Sequence, residues 1–294
     1  MSALSARARG ALLVAGACLC WSSGGILVRL VEMDGGAILF WRSSFMALAV
    51  TIGLIAGHGR QAPAVIAAVG WPGLLSGVLL SGMFFGYILS ITRTQVANTM
   101  ILMSASPLVA AVLARLILHE VLNRRTVVAI GVAMVGIAVM FGHGAATGSV
   151  AGDAFAFLAA LSFGANIIVL RRWRHIDMVP ATLLSGLIAA AVAAPWAIGV
   201  SVSGTQLAIL ATLGFFQLGL GLFLFVRGSR SLQAAELGLL SLLETVLAPI
   251  WVWLGLGETP DATTLLGGSL VVAAVLGLML TERMRPRFKR PSPN

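Results

Sequence analysis

Residues 97–126, ANTMILMSASPLVAAVLARLILHEVLNRRT, have a counterpart 138 residues further on at 235–264, AELGLLSLLETVLAPIWVWLGLGETPDATT. Laid over one another without a gap, they set Ala97 on Ala235, Ala110 on Ala248, Glu120 on Glu258 and Thr126 on Thr264. Matching alanines carry little weight in apolar segments. The Glu and Thr matches carry more, because both fall in the polar turn between two apolar blocks, where Glu ends one helix and Thr can cap the next. A weaker echo places Trp21-Ser-Ser-Gly-Gly over Phe163-Gly-Ala-Asn-Ile and Arg29 over Arg171. The chain reads as two related halves, and the unit that repeats is an apolar block, a charged turn and a second apolar block.

Working outward, the solvent of those blocks is hydrocarbon. Of the 294 residues 59% are hydrophobic and 10% are charged, against roughly a quarter charged in soluble chains. The blocks are long enough to cross about 30 Å of bilayer core as helix and lack the two-residue alternation of a membrane barrel. Spans are expected near 11–30, 36–57, 71–92, 96–118, 126–142, 153–171, 179–200, 206–226, 235–257 and 263–281. The expected fold is an all-α integral membrane protein of ten transmembrane helices around a central cavity. Its parts are a five-helix repeat over 1–145, a second over 146–282 and a basic cytoplasmic tail over 283–294. Loops are short, so function must reside within the bundle.

With the N-terminus inside, Arg7, Arg9, Arg60, Arg124, Arg125, Arg171, Arg172, Arg174, Arg227 and Arg230 fall on the cytoplasmic side together with the tail; Arg29 and Arg93 fall outside. The outer loops carry Glu32, Asp34, Asp153, Glu258 and Asp261. The positive-inside rule then places both termini in the cytoplasm of a bacterial-type inner membrane. The net charge of +9 is scattered between apolar blocks, which argues against a nucleic-acid partner. The basic tail suits anionic lipid. Cys18 and Cys20 point to nearly opposite sides of one helix and are expected as free thiols. The first block lacks a cleavage site and reads as a retained helix.

Catalysis finds no footing. No His-Glu-x-x-His, Gly-x-Ser-x-Gly or phosphate-loop pattern is present, and His58, His119, His143 and His175 all fall near span ends. No metal and no cofactor are expected. Five spans per half is odd, so the second half must insert upside down relative to the first. Inverted repeats serve machines that open a central site alternately to either side, and this architecture favours transport.

Several motifs resemble the EamA-type transporters of the drug/metabolite transporter superfamily: Trp21-Ser-Ser-Gly, Phe40-Trp-Arg-Ser with Ala47, Pro107-Leu-Val-Ala-Ala with Leu-His-Glu120, Gly131 and Gly136. In the second half Leu242-Leu-Glu-Thr and Leu-Gly-Glu258 complete the likeness. Thr245 stands where the family pattern has proline, and Pro249 lies one turn later, which leaves the kink of the ninth span open. The resemblance implies a helical basket that exports or exchanges metabolites, and the combination is most similar to YddG-type amino-acid exporters. Sugars, nucleobases and drugs are the alternative cargoes. Implied partners are a small-molecule substrate and membrane lipid, with the protein a monomer or weak homodimer.

Glu244 is the most informative side chain, about 13 Å along the ninth span and so near mid-bilayer. A charge there needs a partner, a proton or water. It either meets a substrate ammonium or coupling proton, or bonds a neighbouring helix. Arg42 either snorkels from the second span or attracts a substrate carboxylate. Ser22, Tyr87, Asn98, Ser104, Asn166 and Gln217 form an uncharged polar set that can bond across helices or hold a ligand. Trp21, Phe163, Phe216 and Trp251, with Phe85 and Tyr87, supply rings for stacking or for ordinary packing. Pro107, Pro195 and Pro249 are expected to kink their helices.

Overall fold

The computed structural model describes residues 5–91, 93–94, 96–120, 123–141, 149–256 and 262–283, with some side chains excepted, among them Arg29, Asn98 and Pro249. The described residues are helical and contain no strand. Eight helical stretches have the length and apolar composition to cross a bilayer: Ala6–Val28, Gly35–Ala68, Gly70–Ile91, Thr99–Ile117, Val150–Arg172, Val179–Ala197, Gly204–Ser229 and Ala234–Gly255.

Polar residues mark where several helices begin. Ser5 accepts from the Ala8 N–H at the start of α1 (Ala6–Ser22), and Asp34 accepts from Gly36 at the start of α3 (Gly35–His58). Ser203 with Gln206, and Gln233 with Glu236, each form a reciprocal capping box, at α11 (Gly204–Thr212) and α13 (Ala234–Ser241). Each satisfies N–H groups that helix geometry leaves without an intrahelical partner.

Three expected spans are broken. Ser23 separates α1 from α2 (Gly24–Val31), Ser104 and Ala105 separate α6 (Val96–Met103) from α7 (Ser106–Ile117), and Leu242 separates α13 from α14 (Leu243–Leu256). Pro107 sits in the first turn of α7, where its missing N–H costs little. Proline does not explain the last break, because Pro249 lies inside α14 without ending it. Pro195 likewise lies within α10 (Val179–Ala197). In the eighth expected span α11 passes into π-helix over Leu213–Leu220 before α12 (Gly221–Ser229). One extra residue per turn there shifts the face that the following helix presents.

The remaining helices are α4 (Ala62–Ala68), α5 (Gly70–Ile91), α8 (Arg124–Phe141), α9 (Val150–Arg172) and α15 (Ala262–Arg283). Helix α3 runs along α10, α5 along α9 and α10, α1 along α12, the π-helix along α3, and α8 along α15, while α7 meets α9 and α13. Small residues permit these approaches. A Cβ at Gly86 would lie 2.7 Å from the Phe155 carbonyl on α9, and one at Gly136 would lie 2.6 Å from the Gly267 carbonyl on α15. Lipid tails provide no hydrophobic drive between helices, so close backbone packing is what holds such a bundle. The buried core is centred on residues such as Ala17, Met46, Phe84, Ile167 and Phe225.

Candidate interior site

Arg42 and Glu244 approach the same interior region from α3 and α14. At Gly214 the π-helix lies so close to α3 that a Cβ would sit 2.8 Å from the Arg42 carbonyl, which fixes that turn of α3. The Arg42 side chain is 4% exposed, and its guanidinium carbon stands 5.7 Å from the centre of the Phe84 ring. It therefore does not snorkel to an aqueous end. Its Nε has no hydrogen-bond partner among the described residues.

The break at Leu242 decides what Glu244 can be. It places the carboxylate in the first turn of α14, where the helix dipole favours negative charge. It also frees carbonyls at the end of α13, and the Cys18 thiol donates to one of them, Leu240 O, at 3.4 Å. Glu244 and Tyr87 are both half-buried, and the side chains of Arg42, Tyr87 and Glu244 come into one neighbourhood from α3, α5 and α14.

Beside this group lies an aromatic cluster. Trp21 meets Phe225 at 5.1 Å and Phe163 at 6.2 Å between ring centres, and Phe163 meets Phe225 at 5.5 Å. Gln217, in the π-helix, donates to the Trp21 carbonyl at 3.2 Å. Trp251 donates to the Ser22 hydroxyl at 2.8 Å, so these two satisfy each other. Asn166 is fully buried and accepts from Ser76 at 2.7 Å.

Four buried polar atoms of this set have no partner among the described residues: Trp21 Nε1, Arg42 Nε, Asn166 Nδ2 and Gln217 Oε1. Each such group costs several kcal/mol, about 2–7, when it is kept from water without a hydrogen bond. Three donors and one acceptor on different helices are a set that a polar ligand or ordered water would satisfy.

Not every expected residue joins them. Phe216 is 64% exposed on the outside of the bundle, while its neighbour Gln217 in the same π-helix is buried. Ser104 is buried at the break before α7 and donates to the Ile101 carbonyl of its own chain turn. The Asn98 side chain and the tail from 284 onward lie outside the described residues. Phe84, Phe225 and Cys18 belong to the site without having been singled out. Phe84 lies one turn before Tyr87, a spacing that could have pointed to it.

A second polar assembly occupies one end of the bundle. Arg7 pairs with Glu236 at 2.9 Å, Arg171 with Glu120 at 2.7 Å, and Arg230 with Asp177 at 3.0 Å. A cavity of about 490 Å³ opens among Arg7, Arg171, Arg174, Arg230, Gln233 and Glu236.

Two segments of the chain, 8–142 and 150–280, each match the model of the EamA-like transporter family. A crystal structure superposes with a TM-score of 0.80 over 94% of this chain and 99% of its own, at 20% sequence identity, which is a likeness of fold. No curated protein sequence matches the chain.

Proposed function

Because the chain belongs to the EamA-like transporter family, a family of membrane transporters in the drug/metabolite superfamily, we propose that it exports small metabolites, amino acids above all, by alternating access around Arg42 and Glu244. The observation that carries this reading is the presence of a basic and an acidic side chain, Arg42 and Glu244, on two helices within an apolar bundle, beside unpartnered donors and an aromatic cluster. A zwitterion needs both charges, and rings alongside suit aromatic amino acids. In this reading Trp21, Phe163, Gln217 and Asn166 contact substrate, with Ser22, Tyr87 and Trp251 shaping the wall. A neutral sugar, nucleobase or drug is the second reading, favoured by the unpartnered amide atoms of Asn166 and Gln217.

Ten spans in two inverted halves complete the proposal, with α8 and α15 added to the eight long apolar stretches. Helix pairing supports it: α3 with α10 and α8 with α15 are pairs of corresponding helices, while α1 with α12 mirrors α9 with α5. The breaks at Ser104 and Leu242 also fall at repeat-equivalent positions. We place the Arg7 end in the cytoplasm of a bacterial inner membrane, with both termini there and the protein a monomer or weak homodimer.

The test is counterflow of labelled solutes into proteoliposomes. Saturable flux of amino acids, competed by unlabelled amino acid and not by sugar or nucleobase, is expected. Flux of sugar or nucleobase alone would replace the amino-acid reading with the second one.

A further inference from the structure

The cavity at the Arg7 end is separate from the Arg42 and Glu244 region, and we propose that it binds a phosphate group, carried by an anionic phospholipid headgroup or by a soluble phosphorylated compound. Its wall brings four guanidinium groups together from distant parts of the chain: Arg7 on α1, Arg171 at the end of α9, Arg174 in the turn beyond it and Arg230 after α12. Three of them are held in place by carboxylates of other elements, Glu236, Glu120 and Asp177.

Those pairings orient the guanidiniums without exhausting them. Each carries five N–H donors in a planar fork that matches phosphate oxygens, and a carboxylate occupies at most two. Among the described residues Glu236 is the only carboxylate in the wall; 3% of its side chain is exposed, and it accepts from Arg7 and from the Gln233 backbone N–H. It therefore presents little negative charge to the cavity. Arg174 is exposed and makes no ion pair or hydrogen bond among the described residues. A multiply charged oxyanion is the ligand that answers such a wall.

The cavity also lies at the level of an interfacial aromatic pair. Trp173, the neighbour of Arg174, meets Trp71 edge-on at 5.1 Å, and Trp71 is 63% exposed. Tryptophans of this kind settle at headgroup depth, where phosphate is abundant.

The experiment uses the full chain, delipidated in neutral detergent, with thermal unfolding followed against inorganic phosphate and against chloride at equal ionic strength. In parallel, nanodiscs of phosphatidylcholine with and without phosphatidylglycerol are analysed by native mass spectrometry for retained lipid. Stabilisation by phosphate alone identifies a soluble source; retention of phosphatidylglycerol without a phosphate effect identifies the headgroup. In either case Arg174→Gln should weaken binding about tenfold. Arg174→Lys should be intermediate, and Arg172→Gln, a neighbouring arginine outside the wall, should match wild type. Absence of both effects, or equal losses in Arg172→Gln and Arg174→Gln, would overturn the proposal.

Discussion

The indole N–H of Trp251 is bonded to the Ser22 hydroxyl at 2.8 Å, and that hydroxyl in turn donates to the Leu19 carbonyl at 2.9 Å. The bond ties α14 to α1 beside the break at Ser23, and both α14 and the break border the interior site. Removing it should cost about 1 kcal/mol for Ser22→Ala, since the indole is then left unpaired. A double-mutant cycle with Trp251→Phe, read by unfolding in detergent, should give a coupling of about 0.5–3 kcal/mol. A coupling of zero would remove the clamp from the account.

Two glycines of α8 should behave oppositely. A Cβ at Gly136 meets the Gly267 carbonyl, whereas one at Gly131 meets nothing within 4 Å. Gly136→Ala is expected to destabilise by about 1–3 kcal/mol through overpacking against α15. Gly131→Ala should stabilise by about 0.5–1 kcal/mol through its helix propensity. Melting temperatures of the two variants check the difference.

The Arg7 and Glu236 pair joins the start of α1 to the first turn of α13. Arg7→Gln leaves a nearly buried carboxylate with its backbone contact and without its cation. Stability should fall by about 1–3 kcal/mol, and Arg7→Gln with Glu236→Gln should recover part of the loss. Unfolding of the three variants side by side would show whether the charge left behind is the cause.

Much of this was legible in the sequence, because bilayer solvent acts on composition directly. Apolar blocks and charged turns indicate the eight long apolar stretches, and the Glu120 and Glu258 match agrees with the two segments that match the family model. The breaks were less legible. Ser23 and Ser104 stand at breaks and bond back to the Cys20 and Ile101 carbonyls of their own segments; Pro107 opens α7 after one break, whereas Pro195 and Pro249 lie inside α10 and α14 without ending them. The π-helix over Leu213–Leu220 has no local signature, and the register in which Gln217 faces inward and Phe216 outward is set by packing. Arg42 carried two readings, since span position alone cannot say whether a long side chain reaches an end or turns against Phe84.

Rings should separate along the same division. Phe163 packs with Trp21 and Phe225 inside the bundle, and Phe216 faces outward. Phe163→Ala should raise the half-saturating substrate concentration roughly tenfold through lost stacking and packing. Phe216→Ala should leave it within about twofold of wild type. Transport assays on both, normalised to folded protein, give the comparison.

The most direct test of the account is counterflow of labelled amino acids by Glu244→Gln in proteoliposomes, with folding verified by gel filtration and thermal unfolding. Glutamine keeps the shape and hydrogen bonding of the side chain while removing the charge that would meet a substrate ammonium. The account predicts a folded protein whose saturable amino-acid counterflow is lost or reduced at least about tenfold. Counterflow unchanged from wild type in rate and in half-saturating concentration would contradict a site built on Arg42 and Glu244.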